Sequence, residues 1–78
     1  MIANAHSIVS SNPHILGGTL VFAGTRVPVE TLIAHLRAGD SIETFLADFP
    51  SVSRSLVDAY LDLSEQLVLE KVTGAHSA

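Results

Sequence analysis

The residues best suited to chemistry fall in one short run behind Pro50, Ser51-Val52-Ser53-Arg54-Ser55. Hydroxyls and a guanidinium donate hydrogen bonds to phosphate oxygens, and an arginine can also make a bidentate bond to a guanine edge. The run leads into apolar sequence starting at Leu56 and Val57, so it stands at the N-terminus of a helix, an end that itself attracts anions. Ser51, Ser53, Arg54 and Ser55 are therefore the candidate DNA contacts. Asp58 and Asp62, one and two turns further on, would repel DNA if they faced it.

Other chemistry is poorly served. Of the four histidines, His6, His14, His35 and His76, none lies three or four residues from another, and there is no cysteine, so no metal site is expected. Asp58 and Asp62 would be neighbours on a helix, but they read as a solvated face. No nucleophile, base and orienting acid form a local signature, and the chain is not expected to be an enzyme. The stretch GGTLVFAGTRVPVETL, residues 17–32, matches neither the phosphate-binding pattern G-x-x-x-x-G-K-[ST] nor the dinucleotide pattern G-x-G-x-x-G. Its glycines, Gly17, Gly18 and Gly24, read as turn formers beside strands, and no cofactor or small-molecule substrate is implied.

The elements that must position these residues follow from spacing. Leu20, Val21 and Phe22 form a β-prone run, Arg26 and Val27 another, with Ala23, Gly24 and Thr25 as the loop of a hairpin. Pro28 cannot donate to a ladder and leads into a first helix, whose Val29, Leu32, Ile33 and Leu36 share one face. Gly39 stops it. Asp40 or Ser41 caps a second helix, with Asp40 and Glu43 in capping-box spacing and Ile42, Phe45, Leu46 and Phe49 on one face, and Pro50 ends it. Ser51 or Ser53 caps a third, longer helix through Leu56, Val57, Tyr60, Leu61, Leu63, Leu67 and Val68.

The expected fold is mainly α, a short N-terminal β-hairpin arm followed by a three-helix helix-turn-helix bundle. Spacing alone fits a plain helical bundle with a serine-rich cap equally well. Residues 1–12 are expected as a flexible N-terminal segment, 13–72 as the domain and 73–78 as a flexible tail.

With 78 residues, the chain has room for one small core and no disulfide, so association is the expected source of added stability. Apolar residues make up 47% of it and charged ones 15%, rich for so small a domain. Apolar area on the hairpin and last helix is expected to meet another chain, and Leu20, Phe22, Arg26, Val27, Leu63 and Leu67 are the candidate dimer or partner contacts. A net charge of −4 argues against general nucleic-acid binding, so any DNA contact must be local. The opening residues lack a secretion signal's basic flank and no apolar run is long enough to span a membrane. A cytoplasmic location is expected.

Residues 14–60, through ILGG, VFAGTRVPV and GDSIETFLADFPSVS, resemble the family of domains of unknown function numbered four-three-three, described as antitoxins of VapB type. The resemblance implies a hairpin arm and helix-turn-helix, assembled as a homodimer. It also implies a PIN-like, nuclease-fold toxin encoded nearby, which the antitoxin neutralises by binding, and an operon that it represses by binding operator DNA. The alternatives from other classes are a stand-alone helix-turn-helix repressor and a protein-interaction module without DNA binding. Where the family commonly carries lysine and proline after the glycine pair, and a basic or polar residue before Gly-Thr-Arg, this chain has Thr19, Leu20 and Ala23, which favours an arm that faces protein. Arg26 stands at the family's arginine. It either braces the fold or the dimer by pairing with an acidic residue such as Asp48 or Glu43, the favoured reading, or contacts a ligand.

Overall fold

The computed structural model describes residues 5–14 and 16–73. Two short antiparallel strands, β1 (Val9–Ser10) and β2 (Val21–Phe22), precede three helices, α1 (Val29–Arg37), α2 (Ile42–Asp48) and α3 (Arg54–Thr73). Single 3-10 turns at Ala5–Ser7 and Leu16–Gly18 flank β1 and introduce β2. The fold is mainly helical, with a two-strand antiparallel unit at its N-terminal side, as the spacing predicts.

The pairing within that unit differs from the expected hairpin. The strand beside Val21–Phe22 comes from the opening segment, in the register Val9 to Phe22 and Ser10 to Val21, and Ile8 next to it is buried. The loop foreseen at Ala23–Thr25 does fold back. The Phe22 amide donates to the Val27 carbonyl at 2.9 Å and the Val29 amide to the Leu20 carbonyl at 3.1 Å, and together these two bonds make one isolated bridge, between Val21 and Pro28. Pro28 sits opposite Val21 within that bridge, and Arg26–Val27 forms no strand of its own. Gly24 at φ +76° makes the turn, and Thr25 ties it: its hydroxyl donates to the Phe22 carbonyl at 2.8 Å and accepts from the Val27 amide at 3.0 Å.

Each helix boundary has a local cause. Pro28, extended at φ −65° and ψ 140°, opens α1. Gly39 at φ +88° closes it, with the Asp40 amide bonded to the His35 carbonyl and the Gly39 amide to the Leu36 carbonyl, the pair of bonds that satisfies a helix's last carbonyls. Ser41, rather than Asp40, caps α2, its hydroxyl accepting from the Thr44 amide at 3.0 Å. Phe49, before Pro50, leaves helical geometry at φ −129° and ψ 73°. Ser53 then caps α3, accepting from the Leu56 amide at 3.1 Å.

The core is Phe22, Val29, Leu32, Phe45, Val52 and Val57, joined at its edges by Val9, Val27, Ile42, Leu46, Phe49, Leu56, Tyr60 and Leu61. Every element from β1 to the first half of α3 contributes. Phe22 meets Phe45 at 6.1 Å between ring centres and Tyr60 edge-on at 5.6 Å, so one strand residue links α2 to α3. Residues 74–78, with His76, lie outside the described residues, and Thr73 is the last residue of α3. Among the described residues no helix is long and apolar enough to cross a membrane.

Candidate nucleic-acid and partner interfaces

The α2–α3 unit places Ser53, Arg54 and Ser55 at the open end of α3 and Ser51 in the turn before it, all four exposed. Ser53 is bound to structure first: its hydroxyl caps the helix and lies 3.1 Å from that of Ser55. Arg54 reaches back across the turn and donates to the carboxylate of Glu43, on the first turn of α2. Glu43's own backbone amide, and then the Arg54 guanidinium, hold its carboxyl below the usual carboxylate range. Both side chains stand in solvent, so the pair is screened and a phosphate can compete for the arginine.

Among the described residues of one chain Arg26 forms no ion pair. Both carboxylates named for it are engaged elsewhere, Glu43 by Arg54 and Asp48 by His35. Its side chain is exposed and lines a shallow hollow of about 580 Å³ together with Ser10, Gly24, Thr25 and Ser51.

The candidate partner contacts divide. Phe22 is fully buried in the chain's own core and Leu63 is buried as well, so neither is free to meet another molecule. Inward-facing positions of a two-residue strand and of a core helix look the same in sequence as sticky ones. Val27 is half-buried, whereas Leu20 and Leu67 are exposed. Leu67 belongs to a longer apolar stretch of which it is the sole candidate contact: Leu67, Val68, Leu69 and Val72 are 51, 60, 49 and 75% exposed. The stripe that α3 packs inward through Val57, Tyr60 and Leu63 continues along the helix at Leu67, Val68 and Val72, which stay at least half exposed.

One polar feature had no sequence signal. His35 bridges α1 and α2: Nδ1 donates to the Thr31 carbonyl at 2.9 Å, and Nε2 lies 3.3 Å from the Asp48 carboxylate. Its ring stands edge-on to Phe45 and Phe49, at 5.5 and 5.7 Å. With an acceptor at each nitrogen the protonated ring is favoured. The Thr31 bond and then the Asp48 bond raise its pKa, partial desolvation opposes them, and the charges of Asp40 and Asp48 add to the rise.

A family model described as "Protein of unknown function (DUF433)" matches residues 9–63. The chain belongs to the DUF433 family. The match starts at β1, which agrees with that strand being part of the domain. The chain is 51% identical over 51 residues to the uncharacterised protein y4eO of Sinorhizobium fredii, a stretch covering 65% of this chain and 23% of that protein. The crystal structure of a DUF433 member from Anabaena variabilis superposes with a TM-score of 0.66 at 27% identity, covering 80% of this chain and 61% of that one. The chain thus spans under a quarter of the first relative's length and about three-fifths of the second's.

Proposed function

We propose that this DUF433 protein is the antitoxin of a toxin–antitoxin pair, a homodimer that binds and neutralises a PIN-like toxin encoded nearby and represses its own operon through α3. The observation that carries the reading is the bare apolar stripe at the end of α3. Three side chains on one side of a helix, each at least half exposed, are costly to leave in water and are the usual footprint of a protein partner. The DNA part is supported by the exposed hydroxyls and guanidinium at the opposite end of the same helix. Resemblance to VapB-type antitoxins supplies the class of partner.

Co-expression with the product of the adjacent gene tests the proposal. A complex that survives purification, together with toxicity of the neighbour expressed alone, is the expected result. A neighbour that is harmless and does not co-purify removes the antitoxin reading. The second reading, a protein-interaction module that does not bind DNA, is favoured by the Arg54–Glu43 pair, which sets a carboxylate beside the one cation of α3's first turn. It predicts no salt-dependent affinity for the protein's own upstream DNA.

A further inference from the structure

The hollow between the β2–α1 turn and the α2–α3 turn brings together residues far apart in sequence: Ser10 from β1, Gly24, Thr25 and Arg26 from the first turn, and Ser51 from the second. No acidic residue lines it, in a chain whose net charge is −4. Of the chain's four lysines and arginines, Arg54 is held by Glu43, while Arg26, like Arg37 and Lys71, has no ion-pair partner among the described residues, and of these three only Arg26 lines the hollow. The Thr25 hydroxyl is used within its own turn, but those of Ser10 and Ser51 bond to no other described residue and remain available as donors. Gly24, at φ +76° with no side chain, leaves that wall of the hollow as bare backbone. One unpaired guanidinium and two free hydroxyls facing an acid-free depression are the donor set for an oxyanion.

We propose that this hollow is a phosphate-binding site in which Arg26 takes a backbone phosphodiester of the duplex that receives the first turn of α3. Ser51 ties the two features together, since it lines the hollow and lies three residues ahead of Arg54. The two surfaces then divide the work: the start of α3 faces base edges and nearby phosphates, and Arg26 fixes register on the strand alongside without reading sequence. The identification of the phosphate as DNA's rests on the DNA part of the function proposed above; the oxyanion chemistry of the hollow does not.

Two probes keep these apart. The full chain is titrated by fluorescence anisotropy onto a duplex from its own upstream region and onto an unrelated duplex of equal length, across a salt series. In parallel, inorganic phosphate is titrated while the backbone amides of Gly24, Thr25 and Ser51 are followed by NMR. Arg26→Ala should weaken both duplexes alike and flatten the slope of log K against log salt by about 0.9 per bound protomer, the loss of one phosphate contact. Arg26→Lys should keep most of that slope, and unchanged circular dichroism of both variants excludes a folding defect. If the wild type binds neither duplex but phosphate shifts the three amides and Arg26→Ala abolishes the shifts, the site stands, its ligand is free phosphate, and the DNA reading falls. DNA binding whose salt slope Arg26→Ala leaves intact overturns the proposal, as does the absence of any response to both probes.

Discussion

Replacing Leu67, Val68 and Val72 together by alanine separates what α3 does for its own fold from what it offers to a partner. Full burial of a leucine or valine side chain contributes about 1.5–3 kcal/mol. These three keep 51, 60 and 75% of their surface in water, so a partner that covers them has roughly 3–5 kcal/mol still to gain. Alanine retains the Cβ, which leaves about 2–4 kcal/mol of that at stake, or roughly a 30- to 700-fold loss of affinity for the proposed toxin. The free chain should hardly notice: little buried area is removed, and alanine is the better helix former by up to ~0.7 kcal/mol per position. The assay pairs urea denaturation of the isolated protein with titration calorimetry against the neighbouring gene's product. A denaturation midpoint that falls steeply would show that the stripe is covered within this protein's own assembly. An unchanged affinity would refute the assignment of the stripe to the toxin.

Three further outcomes follow from the fold. Phe45→Ala removes a fully buried ring in contact with Phe22, Phe49 and His35; the expected cost of about 3–5 kcal/mol matches the whole stability of so small a core, so far-ultraviolet circular dichroism should show an unfolded chain at 25 °C. Ser41→Ala deletes the cap of α2 and should cost about 1 kcal/mol in urea denaturation, whereas Asp40→Ala should cost clearly less. Because the folded pKa of His35 is raised above the ordinary 6.5, its contribution is fully present below pH 6.5 and is lost as pH rises through the folded value. Asp48→Asn should reduce that loss as pH rises above 6.5, and an NMR titration giving a His35 pKa at or below 6.5 would sink this account.

Where a residue's local chemistry decides its conformation, the sequence was a sufficient guide. Pro28, Gly39 and Pro50 constrain the backbone at or just before them, and the helix boundaries fall beside them, while Gly24 makes the turn after β2. Periodicity likewise found the faces of α1 and α2, apart from Leu36, which stays 36% exposed, since an amphipathic face needs only a neighbour, not a particular one. Pairing across the chain was not legible. Val9–Ser10 carries no stronger strand signal than Arg26–Val27, and its place beside β2 is set by the burial of Ile8 and by Pro28 closing the other edge. The same limit hid the His35–Asp48 bridge, thirteen residues apart on different helices, and the meeting of Arg26 with Ser51 across the hollow. It also misassigned Phe22 and Leu63, because apolar residues buried in one's own core and those reserved for a partner differ only in what the fold puts over them.

The distribution of charge on α3 constrains how the proposed DNA contact can be made. Asp58, Asp62, Glu65 and Glu70 follow Arg54 along the helix, with Lys71 the next cation in its last turn. A helix laid lengthwise in the major groove would bring those carboxylates against phosphates, so α3 can approach only end-on, through its first turn. One turn offers few contacts: Ser53 is occupied as a cap and Arg54 must first leave Glu43. Affinity then has to come from outside that turn, from a phosphate held at Arg26 and from a second protomer placing its own α3 on the next half-site. With the last two turns pointing away from the duplex on this geometry, the bare stripe of Leu67, Val68 and Val72 stays open to a protein while the other end is on DNA. The two proposed activities therefore need not compete for one surface, and toxin binding and operator binding are expected to be simultaneous rather than exclusive.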